Sequence, residues 1–270
     1  MRAGGSEDSR RRFYLATLTR LYILRSVVVA LTLLRFSGPA RVWMLTQMAF
    51  ARPALRRTPD LRFWKLLGSG RGFGPQPDFS RYALLTTWPS LEAARGFHAL
   101  SPVVRRFRRR ADETWTLYMR PIRAHGLWSG VNPFIPQDVE TDIDGPLAIL
   151  TRATIRWRAL TRFWSHAHAT ERALDNAPGL LFAIGIGEVP IVRQATFSLW
   201  RDAAAAHAYA YRAVAHAEAI RRTRAEGWYA EELFARFVPI GAEGRWDGVE
   251  LLTAVTSRAG TLHRLNLSGV

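Results

Sequence analysis

GLWSG at residues 126–130 returns as GRWDG at 244–248, a glycine-bracketed tryptophan recurring at a little under half the length of this 270-residue chain. Working outward from that pair, YALLTTW (82–88) answers ATFSLW (195–200), GSG (68–70) answers GIG (185–187), and LTLLRF (31–36) answers LTRATI (150–155). Echoes that keep their order mark an internal repeat. In the second half, 147–157 predicts a strand and 160–177 a helix. A hairpin follows over 180–187 and 191–200, then a helix over 202–226 and a strand over 231–239. The first half matches, with strands near 26–36, 61–68, 80–88 and 114–121. Strand, helix, strand, strand, helix, strand is the ferredoxin-like order.

A sheet of that kind carries helices on one face only, so its other face needs an apolar cover. Two tandem copies can cover each other. The expected fold is therefore α+β: tandem ferredoxin-like repeats forming a fused dimeric α/β barrel. The divisions are an N-terminal arm (1–25), repeat 1 (26–130), a linker (131–146), repeat 2 (147–248) and a C-terminal tail (249–270).

Composition narrows the chemistry. Hydrophobic residues are 48% and charged residues 22%, the balance of an ordinary globular protein. Cysteine is absent, which excludes disulfides, Fe–S clusters, cysteine zinc sites and thiolate-ligated haem. The net charge is +16, and Lys65 is the only lysine, so the positive charge is almost wholly arginine. An anionic membrane face suits such a surface better than nucleic acid. The apolar stretch 13–34 contains Arg20 and Arg25, too interrupted for a span of ~20 apolar residues. The same arginines break a signal-peptide pattern after Arg10–Arg12, and the expectation is a cytoplasmic chain that can lie peripheral to a membrane.

A repeat supplies its own control, because a reactive group needed once should appear once. His216, in AVAHAEAIRR, matches Ser101 in the first half; it is either a ligand or a core side chain. His166 and His168 lie two apart on a predicted helix, where they point in different directions and suit a solvated surface. His98, His125, His207 and His263 have no partner spacing. Gly68, Gly70, Gly72 and Gly74 resemble a phosphate loop, but Phe73 and Pro75 stand where the third glycine is needed; Pro190 spoils the same pattern after Gly185. No GxSxG, Walker A or HExxH sequence occurs. On strand 193–200, alternation places Gln194, Thr196 and Ser198 on one face, and Arg152 shares a face with Thr154 on the preceding strand. Such groups suit a pocket or a pair of partly solvated strands.

LTRATIRW (150–157), RFW (162–164), FAIGIGEVPIVRQATFSLW (182–200) and HAEAIRRTRAEGWYAEELFARF (216–237) resemble the spheroidene monooxygenase family of acyclic carotenoid ketolases. FWKLLGSGRGFGPQPDFSRYALLTTWP (63–89) and ADETWTL (111–117) extend the resemblance into the first half. The N-terminal arm, the tail and the histidines of FWSHAHA (163–169) fall outside it. The resemblance implies a haem iron with His216 as its axial ligand, dioxygen as oxidant, and an acyclic carotenoid oxidised at an allylic methylene to a ketone by two successive hydroxylations. It implies external electrons, from a ferredoxin-type donor, because the chain has no flavin or nicotinamide fingerprint. Arg152 and Gln194 are the candidates for the distal hydrogen-bond donor, and Phe163, Trp164 and Trp228 for the walls of the cofactor slot. The alternative is a non-catalytic haem- or lipophile-binding protein, or another haem enzyme on the same barrel.

Overall fold

The computed structural model describes residues 27–72, 74–136, 145–165, 174, 176–189, 191–212 and 226–252. Its strands are β1 (Val28–Arg35), β2 (Phe63–Gly70), β3 (Pro77–Trp88), β4 (Glu113–Gly126), β5 (Leu147–Ile155), β6 (Leu180–Val189), β7 (Arg193–Trp200) and β8 (Tyr229–Gly244). Helices α1 (Gly38–Phe50), α2 (Arg52–Arg56), α3 (Leu91–Leu100), α4 (Pro102–Arg108) and α5 (Ala203–Arg212) lie among them, and the chain after β5 turns through a short 3-10 segment, Trp157–Ala159. The strands close an antiparallel barrel in the order β1-β3-β2-β6-β7-β5-β8-β4. Within each half this is the ferredoxin-like order, β4-β1-β3-β2 and β8-β5-β7-β6. Among the described residues no helix is long and apolar enough to cross a membrane.

Strand alternation sorts the side chains. Val29, Leu31, Leu33, Leu85, Leu117, Leu150, Phe197 and Phe237 point inward and fill the barrel. Outward-facing residues of the first half, among them Leu34, Leu66, Tyr82, Leu84 and Trp88, pack continuously under α1 to α4. Strand β1 is buried on both faces, which explains its unbroken apolar run. Trp88 and Trp200 are braced alike, each indole donating to the hydroxyl two residues earlier, Thr86 or Ser198, at 2.9 Å. Helix α3 is capped by Ser90, and the start of α5 by Asp202, whose carboxylate accepts from the Ala205 amide at 2.7 Å.

The two halves join along β2 and β6, where Gly68 pairs with Gly187, and along β4 and β8, where Trp115 pairs with Gly244 and Gly126 with Leu233. Both seams read the same from either side. Gly126 and Gly244 have φ of +89° and +83°, and a Cβ on them would stand 2.2 Å from the Glu232 carbonyl oxygen and 2.1 Å from that of Thr114. After each glycine the chain bends over a barrel mouth, and Trp128 and Trp246 bridge to Val131 and Val249. Glu231 accepts from the amides of Ser129 and Gly130, and Glu113 from those of Asp247 and Gly248. The indoles plug the two mouths.

Several sequence expectations shift. Strands β4 and β8 run well past 121 and 239, because each pairs with the other to the glycine that ends it. Gly68 matches Gly187, since they hold equivalent registers against β3 and β7; Gly185 matches Leu66. Phe134, in the expected linker, is fully buried against Phe237, and Leu251 and Leu252, in the expected tail, pack on the barrel core. The described parts of these segments, 131–136 and 249–252, pack at the mouths. The repeat offset is 112 at Trp88/Trp200 and 118 at Gly126/Gly244, so the second half holds six more residues between those points. Counting from the two ends gives His216 a counterpart between His98 and Val104, a range that contains Ser101. Ser101 itself caps α4, accepting from the Val103 amide.

Candidate functional site

Residues at matching barrel registers separate what the fold needs from what one half alone carries. On the outer face of the first sheet Leu34, Trp64, Leu66, Tyr82 and Leu84 form a filled layer; their counterparts in the second half are Ala153, Ala183, Gly185, Gln194 and Thr196. Five large side chains give way to short ones. The apolar packing on that second face splits accordingly. One cluster gathers Leu147, Trp200, Ala205 and Ala206 at one end, and another gathers Ile155, Ala159, Phe163 and Trp228 at the other. Between them lie Thr151, Ala153, Gln194 and Thr196, with Phe234 of β8 beside Thr151. Thr151 is exposed, whereas its first-half counterpart Thr32 is buried. This strip of small side chains, on which Thr151 is exposed and Ala153 buried, carries two hydroxyls, one carboxamide and, across from Ala153 on β8, the exposed carboxylate of Glu232. Beside aromatic walls it suits an apolar ligand with a polar edge.

Of the expected site residues, Gln194 lies on this strip. Phe163, Trp164 and Trp228 come together at its Ile155 end: Phe163 meets Trp164 edge-on at 5.1 Å and Tyr229 at 6.2 Å, the Trp164 indole donates to the Ile191 carbonyl, and that of Trp228 to Glu226. Arg152 does not join them. It pairs with Ala195 while Gln194 pairs with Ala153, so Arg152 and Gln194 project from opposite faces of the sheet. His216, with His166, His168 and His263, lies outside the described residues. Among the described residues no three His, Cys, Asp or Glu side chains gather as a metal site.

Arg152 instead belongs to a charged cluster inside the Trp128 mouth that sequence reasoning missed. Its guanidinium is buried, bonds the Glu231 carboxylate, and lies 3.6 Å from Glu188. Glu188 also accepts from the Trp128 indole at 2.8 Å and from Lys65 at 2.6 Å, and Lys65 donates to Ser129 at 2.7 Å. The matching positions at the other mouth are Leu33, Ser69 and Ile184, with only Glu113 repeating an acid. There Arg35 pairs with Glu113 and Asp247 and stacks on Trp246. The signal was in the sequence: one lysine in the whole chain marks a position that arginine did not fill.

Burial alone would raise the Glu188 carboxyl, but hydrogen bonds from Lys65 and Trp128 and the charges of Lys65 and Arg152 outweigh it and hold the acid below its usual range. Glu231 is likewise lowered against its own burial, by the Gly130 and Ser129 amides and by Arg152. Carboxylates with depressed folded values add stability above the unfolded value, about 4.3, and lose it as pH falls through the folded one. Thermal melts of wild type should therefore drop steeply below about pH 4.5. Glu188→Gln should lower the melting temperature at pH 7 and flatten the acid limb; parallel curves for the two proteins would refute the assignment.

His98 is a second buried ionisable group that the sequence did not single out. Both ring nitrogens lack partners and desolvation pushes its pKa down to about 3, so it sits neutral between Phe97 and Tyr118 as part of the first half's filled layer. A pocket at the Trp246 mouth, lined by Trp115, Ala242, Gly244, Glu250 and Leu252, has about 140 Å³ and is too small for a sizeable ligand.

No family model matches the chain. Among solved structures, aldoxime dehydratase in complex with butyraldoxime superposes with a TM-score of 0.56 at 10% identity, over 84% of this chain and 85% of that one. A second aldoxime dehydratase gives 0.54 at 10% identity, over 79% and 81%. These likenesses concern the barrel fold. In sequence, the chain is 40% identical over 231 residues to spheroidene monooxygenase of Rhodobacter capsulatus, covering 84% of this chain and 96% of that protein. It is 40% identical over 239 residues to the Cereibacter sphaeroides protein of the same name, and 39% over 224 residues to that of Rubrivivax gelatinosus, covering 74% and 85% of those relatives. The chain belongs to the spheroidene monooxygenase family.

Proposed function

We propose that this monooxygenase binds haem on the small-side-chain strip of its second sheet and oxidises an acyclic carotenoid there. The reading is carried by one observation: the outer sheet face packed with Leu34, Leu66, Tyr82 and Leu84 in the first half is cleared to Ala153, Gly185, Gln194 and Thr196 in the second. The matching strand order and mouth turns support the two halves being tandem ferredoxin-like copies, of which the second has specialised. A chain without cysteine would hold haem through histidine, tyrosine or methionine, and His216, which the family resemblance implies, fills that role in this reading. When bound, the haem supplies activation of dioxygen.

The protein's own groups do the rest. Gln194 presents a carboxamide N–H donor beside Ala153, positioned to hold an oxygen-bearing group at the strip. Thr151 and Thr196 add hydroxyls. Phe163 and Trp228 exclude water at one end, Trp200 and the Leu147 cluster at the other. Arg152 acts as a positioning residue from the opposite face, holding Glu231, which holds the Trp128 turn. Conjugation weakens an allylic C–H bond of the substrate, and two insertions of oxygen at the same carbon give a geminal diol that loses water to leave a conjugated ketone. Each insertion consumes one dioxygen and two electrons, which a ferredoxin-type carrier supplies.

Two measurements test this. The purified protein should show a Soret band that His216→Ala abolishes while the circular dichroism of the fold is unchanged. Co-expressed with a pathway making acyclic carotenoids, the wild type should shift pigment absorption to the red and yield a product with one oxygen gained and two hydrogens lost. A haem-loaded protein that leaves every acyclic carotenoid unaltered would favour a binding role over catalysis.

A further inference from the structure

We propose that the Trp128 mouth of the barrel is the surface that docks on an anionic lipid bilayer and delivers the substrate to the strip of the second sheet. The inference rests on the carotenoid reading above, and three features carry it. The first is apolar exposure from separate loops at one place. Trp157, after β5, is 77% exposed, and Val189 and Ile191 at the β6–β7 hairpin, with Leu127 and Val131 on the turn around Trp128, are also exposed. They are stitched into one rim: the Ile155 amide donates to the Val192 carbonyl at 2.8 Å, the Trp164 indole reaches the Ile191 carbonyl, and Glu188, next to Val189, holds the Trp128 indole.

The second feature is charge. Arg156, Arg158 and Arg193 are exposed on this rim, and Arg158 lies over the Trp157 ring at 5.6 Å. Of the neighbouring acids, Glu188 and Glu231 are turned into the barrel, where Lys65 and Arg152 engage them, and Glu226 pairs with Arg162, which leaves Glu232 as an exposed acid beside three exposed arginines. The surface therefore offers tryptophan, aliphatic tips and guanidinium groups together, the combination that partitions into the headgroup region of an anionic bilayer. The third feature is position. Ala153 and Gln194 pair with each other one register step from this rim, behind the Phe163 and Trp228 cluster, so a chain rising out of the bilayer reaches the strip past apolar aromatic side chains. At the opposite mouth, among the described residues, Val249 is exposed but Arg35 is tied to Glu113 and Asp247, and Arg245 pairs with Glu250.

The test uses the full-length haem-loaded protein and vesicles of about three parts phosphatidylcholine to one part phosphatidylglycerol. Wild type should co-sediment with them, less so at high salt and hardly at all with phosphatidylcholine alone. Trp157→Ser with Ile191→Ser should weaken binding roughly tenfold or more. Val42→Ser with Phe50→Ser, on the exposed face of α1, should leave it unchanged. Oxidation of carotenoid carried in the vesicles should fall with the rim variant, while oxidation of carotenoid in detergent micelles should not. Unaltered vesicle binding by the rim variant, or loss of binding in the α1 variant instead, overturns the docking surface. Absence of product in micelles as well as vesicles, from wild type, would be a failure of the monooxygenase reading rather than of the docking surface.

Discussion

Gly126→Ala and Gly244→Ala are each expected to destabilise the protein by about 3–5 kcal/mol, combining the strain of a left-handed backbone with a forced contact. In each case the new Cβ would stand little more than 2 Å from a backbone carbonyl oxygen of the neighbouring strand, Glu232 or Thr114, which cannot rotate away as a side chain could. The amides that follow bond those same carbonyls, Leu127 to Glu232 at 2.7 Å and Arg245 to Thr114 at 3.0 Å, so relief by backbone movement would break the seam. Gly130→Ala and Gly248→Ala provide the control. Both have positive φ but nothing within 4 Å of the added carbon, so only about 1–2 kcal/mol of strain is expected. Equal losses in urea melts for all four variants would show that the close approach contributes nothing.

Refilling the second sheet should have the other large effect. Ala153→Leu with Thr196→Leu restores the side chains that Leu34 and Leu84 supply in the first half. If the strip holds haem as proposed, haem content and oxygenation should fall at least a hundredfold while the circular dichroism of the barrel is retained. A variant that keeps a full Soret band would place the cofactor elsewhere. Thr151→Ser, which removes one methyl group, should be nearly silent in both measurements.

Much of the barrel was legible in the sequence because its strands alternate and its mouth turns repeat the same glycine–tryptophan–glycine spacing. Alternation also predicted that Gln194, Thr196 and Ser198 share a face. What it could not give was the relative facing of two strands: Arg152 and Gln194 both stand on polar-looking strands, and only the pairing register shows that one points into the barrel and the other out. The cluster of Lys65, Glu188, Arg152 and Glu231 was hidden for a similar reason, since its members are separated by up to 166 residues and meet only when the barrel closes. Strand ends were understated at β4 and β8, where mutual pairing extends segments containing Pro121, Arg123 and Pro239 that propensity alone would end.

Covalent continuity between the halves has a consequence for how such a barrel can change. In a barrel assembled from two identical subunits, every substitution appears twice, so hollowing one sheet face hollows both. Exchanging Leu34, Tyr82 and Leu84 for small or polar residues on both faces would incur core-truncation losses of about 2–5 kcal/mol per site, twice over, against a total stability of about 5–15 kcal/mol. Here Leu34 and Ala153 are separate codons. One sheet keeps its full load of buried side chains and serves as the stability reserve, while the other can drift toward chemistry. The same independence means that random mutagenesis should find tolerance distributed unevenly, with the first layer under α1 to α4 intolerant of truncation and its second-half counterpart sensitive chiefly to enlargement.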